Sequence, residues 1–165
     1  MAGIPTEASI LDMVERAMPG RVQNVYAHSS GGGKFIAVIQ FKKTVPSDEG
    51  RQRQAALLAF SAFPELKQVI LVDEDVDIFD TNDVLWAMTT RMQADVDIVT
   101  IPGVRCHPLD PSNDPACSWS IRDHGIACKT IYDATVPFNQ KARFQRAKFM
   151  EVDVKKFLPD FTVQD

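Results

Sequence analysis

The chain has 165 residues, of which 45% are hydrophobic and 24% are charged, as is ordinary for one globular domain. A formal net charge of −4 argues against a general nucleic-acid-binding protein, because neutralising phosphates requires a basic surface. No apolar run in the sequence approaches the roughly 20 residues that cross a membrane. The first residues lack the pattern of a signal peptide, and three cysteines are an odd number. We therefore predict a cytoplasmic protein with reduced thiols, without a membrane or nucleic-acid partner.

The apolar pattern predicts helices and strands that alternate along the chain. Helices are predicted over residues 7–18, 47–62 and 81–92, with N-caps from Thr6, from Ser47, and from Asp80 or Thr81. Strands are predicted over residues 22–27, 35–41, 68–72, 97–101 and 126–132, and the first two can pair as a hairpin. This order predicts an α/β fold, a three-layer α/β/α sandwich with a largely parallel or mixed sheet.

Two segments lie outside this pattern. Residues 102–125 contain five prolines or glycines in their first fourteen positions and are predicted to form a long loop. Residues 138–165 are rich in phenylalanine and are predicted to form a C-terminal helical arm that docks on a neighbouring subunit. The main α/β domain is accordingly assigned to residues 1–137. In the third helix, the inner face is predicted to carry Val84, Leu85, Met88 and Met92.

The strongest chemical feature is a run of carboxylates directly after the strand at 68–72. It consists of Asp73, Glu74, Asp75, Asp77 and Asp80. Strand ends of this kind form the usual ligand edge of an open α/β sheet, and clustered oxygens can bind Mg²⁺ or Mn²⁺. Asp73 and Asp75 also fit the opening of a haloacid-dehalogenase phosphotransferase, but no downstream acid pair or lysine motif follows. The alternative is that Asp75, Asp77 and Asp80 cap loop amides and the start of the next helix, or pair with Arg91.

Other motifs favour structural roles. Gly31 to Lys34 lacks the spacing of a phosphate-binding loop and precedes a strand, so it is predicted to be a turn. The cysteines and histidines contain no Cys-x2-Cys pair, which argues against a zinc site; they are Cys106, Cys117, Cys128, His28, His107 and His124. His28 and His107 are predicted to form hydrogen bonds in loops, and Trp86 is predicted to lie in the core or in an interface.

The segment from Asp73 to Asp80, followed by Asp83-Val84-Leu85-Trp86-Ala87 and Thr90-Arg91, resembles the signature of the C-terminal domain of the UbiD family. Weaker matches are spaced along residues 3–8, 48–55, 109–112 and 129–135. UbiD enzymes use prenylated flavin mononucleotide to decarboxylate aromatic or α,β-unsaturated acids. The resemblance therefore implies the C-terminal domain or small subunit of a UbiD-like carboxy-lyase.

In the family, the flavin site, its divalent metal, its K⁺ and the catalytic Glu-Arg-Glu network lie in the preceding domains. The resemblance therefore implies no catalytic, cofactor-binding or metal-binding residue in this chain, and no activity of the chain alone. It implies a UbiD-type flavin-binding domain or large subunit as the partner, and a homo-oligomer formed through the C-terminal arm. The chain is expected to be either a natural small subunit or a domain separated at the linker.

By position, the resemblance also implies substrate-pocket residues, which are Ile36, Val38, Ile39, Val99, Ile101, Tyr132 and Thr135. An apolar wall excludes water around the reacting carbon, and Tyr132 or Thr135 can supply a hydrogen bond. Two other functions stay open. One is an assembly or regulatory module without a pocket, and the other is a metal-dependent phosphate enzyme that uses Asp73 and Asp75.

Overall fold

A computed structural model describes residues 3–108, 110–113, 116, 125–147 and 154–157 of the chain. The helices are α1 (Gly3–Ala17), α2 (Arg51–Ala62), α3 (Thr81–Arg91), α4 (Ala94–Asp97) and α5 (Val154–Phe157). The strands are β1 (Val22–Ala27), β2 (Ile36–Phe41), β3 (Gln68–Val72), β4 (Ile98–Arg105) and β5 (Ile126–Ala134). Short 3₁₀ helices lie at Ser29–Gly31, Pro46–Asp48, Pro111–Asn113 and Phe138–Arg143.

The strands form one mixed sheet in the order β1-β2-β3-β5-β4. β1 and β2 form the expected antiparallel hairpin, β2, β3 and β5 run parallel, and β4 is antiparallel to β5. The three parallel strands therefore end on the same side of the sheet. We call this side the carboxyl edge; it lies beyond Phe41, Val72 and Ala134.

Helices cover both faces of the sheet, which confirms the predicted three-layer α/β fold. α1 and α2 pack on one face over a core that includes Ile10, Phe60 and Leu71. α3 packs on the other face, against Val38 and Ile70. Every residue of β3 after its first is buried, as predicted for a strand covered on both sides.

Two helices begin at residues other than those predicted. α1 begins at Gly3, and the hydroxyl of Thr6 donates to the carbonyl of Gly33 instead of capping the helix. α2 begins at Arg51, because Gly50 adopts a left-handed conformation (φ 87°) that separates it from the 3₁₀ turn at Pro46–Asp48. The predicted cap at Ser47 is therefore wrong.

The predicted loop at 102–125 is also shorter than expected. β4 continues through Pro102 and Gly103 to Arg105. Gly103 adopts φ 72° at an irregularity in the pairing between Ile101 and Val104, and this irregularity lets the strand continue. β5 begins at Ile126 and extends to Ala134. Residues 109, 114–115 and 117–124 of the predicted loop lie outside the described residues.

Leu85 and the C-terminal segment differ from prediction as well. The side of α3 that carries Leu85 faces outward and leaves it 51% exposed, while Val84 and Ala87 are buried against the sheet. The predicted helical arm starts as a 3₁₀ helix, with Phe144 N donating to Lys141 O. Beyond residue 147, only the single turn Val154–Phe157 is described.

None of the helices described here has both the length and the apolar character of a membrane span.

Asp48 ties the β2–α2 connection to the start of β1. Its buried carboxylate accepts hydrogen bonds from the amides of Thr44 and Val45, and from Nε of Arg21 at 3.0 Å. Burial alone would raise the pKa of Asp48, but these hydrogen bonds and the nearby Arg21 charge bring the pKa below its usual value. The ionised carboxylate therefore stabilises the fold.

We expect Asp48→Asn to lower the free energy of unfolding by about 2 kcal/mol at neutral pH, as measured by urea titration. Because the folded-state pKa of Asp48 is depressed, its contribution is present above the unfolded pKa of 3.8 and is lost as the pH falls through the folded pKa. The difference between wild type and variant should therefore narrow in strong acid. Asp12→Asn, which removes an exposed ion pair with Arg16 on α1, is the control and should change little. A difference for Asp48→Asn that widens on acidification would contradict this account.

Candidate functional site at the carboxyl edge

The acidic run after β3 forms the loop between β3 and α3 and lies at the carboxyl edge. Asp73 is buried, and its Oδ2 accepts from the Val136 amide at 2.7 Å and from Arg91 Nη1 at 3.1 Å. Asp75 accepts two hydrogen bonds from Arg91, from Nη1 at 2.8 Å and from Nη2 at 2.6 Å. One guanidinium thus joins both carboxylates; the pairing of Asp75 with Arg91 was predicted, and that of Asp73 was not.

Arg91 comes from the last turn of α3, where a cation also complements the helix dipole. Its side chain is only 2% exposed, and its guanidinium lies 4.9 Å from the centre of the Trp86 ring. Burial raises the pKa of Asp73 despite the Val136 amide and the nearby cations. The hydrogen bonds from Arg91 lower the pKa of Asp75.

Asp77, Asp80 and Asp83 accept hydrogen bonds from nearby backbone amides. Asp77 Oδ1 accepts from the Phe79 amide, and Asp80 caps α3 by accepting from the Asn82 amide at 2.9 Å. Asp83, in the first turn of α3, accepts from the Asp77 amide at 2.7 Å. These contacts confirm the prediction that the acids cap loop amides and the next helix.

A second group of polar side chains lies at the end of β5. Asp133 is buried and accepts from Gln52 Nε2 at 3.0 Å, from Arg53 Nε at 2.7 Å and from the Thr135 hydroxyl at 2.6 Å. Arg53 also reaches Asp97 through Nη2. The carboxylates at this end of the sheet are therefore neutralised by neighbouring side chains.

Three basic residues connect the segment after β5 to the rest of the carboxyl edge; they are Lys43, Lys141 and Arg146. Lys43 Nζ donates to the Val136 carbonyl at 3.0 Å, and Lys141 Nζ donates to both carboxylate oxygens of Glu74. Arg146 binds Asp83 through two nitrogens, at 2.6 and 2.9 Å. Sequence reasoning missed these three cations. Their partners lie 63 to 93 residues away, and isolated basic residues leave no periodic signal.

Two cavities lie beneath these residues. One of about 190 Å³ is lined by Asp73, Arg91, Lys141 and Phe144, among others. The other, of about 490 Å³, is lined by residues that include Gln52, Arg53, Asp133, Thr135, Arg91 and Phe144. Arg91 and Phe144 are therefore walls of both cavities.

The carboxyl edge favours neither a metal ion nor a flavin. The guanidinium of Arg91 occupies the position between Asp73 and Asp75 that a cation would take. Among the described residues, no three His, Cys, Asp or Glu side chains are placed to hold a metal. The charged groups along the larger cavity are mostly paired with one another. A flavin needs hydrogen-bond donors that are available to its phosphate, and an apolar pocket for its ring. We therefore derive no chemical step through a flavin held by these residues.

The structure does not bring the seven predicted pocket residues together. Ile36, Val38 and Tyr132 lie on the α3 face of the sheet. Ile39, Val99 and Ile101 lie on the opposite face, because successive strand residues point to opposite sides. Thr135 lies at the carboxyl edge and lines the larger cavity there. Ile36 lines a separate cavity of about 260 Å³ beside Lys67 and Asp110.

The histidine and cysteine side chains in the described residues take part in local contacts. His28 accepts at Nδ1 from the Ser30 amide, and its Nε2 lies 2.8 Å from the Thr81 hydroxyl, which confirms its predicted role in a loop. Cys106 donates to the carbonyl of Glu65, and His107 Nε2 lies 3.4 Å from the Glu65 carboxylate. The glycine run forms the expected turn, with Gly32 and Gly33 in the left-handed region. Cys117 and His124 lie outside the described residues.

Comparison with known proteins decides the family. The family described as the 3-octaprenyl-4-hydroxybenzoate carboxy-lyase C-terminal domain matches residues 1–134. The chain belongs to the UbiD family. This confirms the resemblance carried by Asp73 to Arg91. The acidic loop and Arg91 lie within the matched residues, so they are part of a UbiD-type domain and not of a phosphotransferase.

Individual UbiD relatives are similar over nearly the whole chain. Gallate decarboxylase from Lactiplantibacillus plantarum is 60% identical over 160 residues, which cover 96% of this chain and 33% of the relative. The apo structure of a 3,4-dihydroxybenzoic acid decarboxylase from Enterobacter cloacae is 64% identical with a TM-score of 0.86, covering 96% of this chain and 32% of that protein. The chain thus spans about a third of the length of these relatives.

A solved UbiD-class structure also carries a flavin. The enzyme HmfF from Pelotomaculum thermopropionicum, in complex with FMN, is 33% identical with a TM-score of 0.79. The match covers 96% of this chain and 33% of that protein.

We expect Arg91→Gln to lower the free energy of unfolding by about 3–5 kcal/mol, because it leaves the buried Asp73 carboxylate without its partner. Adding Asp73→Asn to this variant should recover part of the loss, and Asp75→Asn alone should cost less, since Asp75 is 42% exposed. Urea titration measures all three variants. If Arg91→Gln left the free energy of unfolding unchanged, the buried ion pair would not stabilise the fold as described. If Mg²⁺ stabilised the wild type and Asp73→Asn abolished that stabilisation, the carboxyl edge would bind a metal ion after all.

Proposed function

We propose that this chain is the C-terminal part of a UbiD-like carboxy-lyase that acts on an aromatic acid bearing ring hydroxyl groups. The observation that carries the proposal is the close similarity to decarboxylases of gallate and of 3,4-dihydroxybenzoic acid. In this function the chain completes the assembly and closes the substrate pocket. The flavin-binding domain, or a large subunit with the same role, is its partner.

The chain alone is proposed to be inactive. The carboxylates of Asp73, Asp75 and Asp133 are all bound by arginines, so none is free to act as a base. Prenylated FMN, its divalent metal, K⁺ and the Glu-Arg-Glu network are proposed to be held by the partner. When bound there, the prenylated flavin supplies the covalent chemistry, and this chain supplies shape and exclusion of water. The assembled enzyme is proposed to work in the cytoplasm.

The pocket assignment is proposed for all seven residues, in two roles. Ile36 and Thr135 line separate cavities at opposite ends of the parallel strands, so only Thr135, at the carboxyl edge, would face a substrate bound there. Val38 and Ile39 are at most 1% exposed, so they would shape the pocket by holding β2 in place. The other three are Val99, Ile101 and Tyr132, which pack beside the two cores.

The domain division at residue 137 is retained in the proposal. Residues 138–165 are proposed to form an arm that docks on a neighbouring subunit and so contributes to a homo-oligomer. Phe157, which is 71% exposed, supports this docking role, because a large apolar side chain gains from burial against a partner.

A purely structural role is the second candidate. Most of the predicted pocket residues pack into the two cores instead of lining a common cavity, which favours a module that directs assembly without contacting substrate. Under this alternative, substitution of the seven predicted pocket residues would leave both assembly with the partner and turnover of the substrate unchanged.

The test is a chimera in which this chain replaces the matching third of the Lactiplantibacillus plantarum gallate decarboxylase. Supplied with prenylated flavin, the chimera should decarboxylate gallate or 3,4-dihydroxybenzoate, whereas the isolated chain should not. The same enzyme truncated without replacement is the matched control. Flavin absorbance and solution mass show whether the chimera has folded and assembled. A folded, flavin-loaded chimera without turnover on either acid would contradict the pocket role and favour the assembly module. Turnover by the isolated chain would contradict the proposal itself.

A further inference from the structure

The segment from Phe138 to Arg146 lies across the carboxyl edge without joining either hydrophobic core. We call it the strap. None of its nine residues is buried, and none belongs to either hydrophobic core. Val136, just before it, is the last core residue at this end of the sheet. Phe138 and Phe144 are only partly buried, so the strap gains less from apolar burial than an element that packs into a core.

Contacts with charged groups hold the strap in place. The Phe138 amide donates to the Glu49 carboxylate at 2.8 Å. Lys141 Nζ reaches Glu74 at 2.9 Å, and Arg146 binds Asp83 at 2.6 Å while its guanidinium lies 4.1 Å from the centre of the Trp86 ring. Lys141 and Arg146 are 27% and 37% exposed. Ion pairs at such sites contribute little to stability and weaken as salt screens them.

Three buried polar atoms at the carboxyl edge receive no hydrogen bond from the protein atoms that the structure describes. Oδ1 of Asp73, Nε of Arg91 and Oε1 of Gln52 have no hydrogen-bond partner, although all three atoms are buried at this edge. Lys141 Nζ lies 4.0 Å from Asp73 Oδ1, beyond hydrogen-bonding distance. The strap therefore does not complete the hydrogen bonding of this edge with protein atoms, and its ion pairs remain its main attachment.

We propose that the strap opens as a unit while the sheet stays folded, and that ionic contacts with the β3–α3 loop control this opening. Phe144 is a wall of both cavities, so its movement joins them into one cleft with Arg91 on its floor. The strap is thus a salt-sensitive cover over the carboxyl edge. Its opening is a property of this chain alone and does not rest on the proposed decarboxylase function.

Backbone hydrogen exchange of the full chain, measured by NMR or mass spectrometry, tests the proposal. The probes are the amides of Phe138 and Gln140, which donate to Glu49 and Pro137 outside the strap, and the amide of Phe144, which donates to Lys141 within it. The β3 amides are the internal reference. Raising NaCl from about 0.05 M to about 1 M shortens the screening length to about 3 Å and should speed exchange in the strap but not in β3. Lys141→Gln and Arg146→Gln should each speed strap exchange about two- to fivefold at low salt, the change expected from losing an exposed ion pair.

Arg143→Gln is the matched control. Arg143 lies in the same segment and carries the same charge, but it makes no ion pair with the residues that the structure describes. Its removal should leave strap exchange unchanged. The proposal is overturned if Arg146→Gln and Lys141→Gln behave like wild type, or if Arg143→Gln has the same effect as either. Equal acceleration of the β3 amides would also overturn it, because the strap would then open only when the whole domain unfolds.

Discussion

The buried contact between Arg91 and Asp73 is the interaction on which the carboxyl edge depends. Arg91 ends α3, Asp73 follows β3, and the same Asp73 carboxylate accepts from the Val136 amide just after β5. One ion pair thus joins a helix and two neighbouring parallel strands at the edge where such sheets usually bind ligands. Since both side chains are almost fully buried, loss of Arg91 would leave Asp73 without its arginine partner, whereas Arg91 would keep Asp75 if the Asp73 charge were lost.

Much of the sheet could be predicted because its signals are local. The continuous apolar run of β3, the hairpin of β1 and β2, and the Asp80 cap of α3 all follow from patterns a few residues long. The link from Asp75 to Arg91 could also be anticipated, since it spans a single loop and helix. Leu85 was misplaced because the apolar pattern of α3 does not show how much of the helix one sheet face covers.

The rest of the site depends on contacts distant in sequence. Arg53 meets Asp133 across 80 residues, and Arg146 meets Asp83 across 63. The sequence around a charged residue on a surface helix or in a loop does not indicate such a distant partner. The polar group around Asp133 and the strap were therefore not predicted. β4 was predicted too short for a local reason, because the sequence Pro102-Gly103 signals a break, whereas the strand absorbs it as an irregularity.

These charge pairs support the proposed division, in which this domain supplies shape and a partner supplies the chemistry. The chain spans about a third of the length of its decarboxylase relatives, and its carboxylates at the sheet edge are already neutralised. The measurement that tests this division most directly is the solution mass, by light scattering, of the isolated chain mixed with the remaining two thirds of the Lactiplantibacillus plantarum gallate decarboxylase. The account predicts a stable mixed complex that contains both chains. Two separate species, each keeping the mass it has alone, would contradict it.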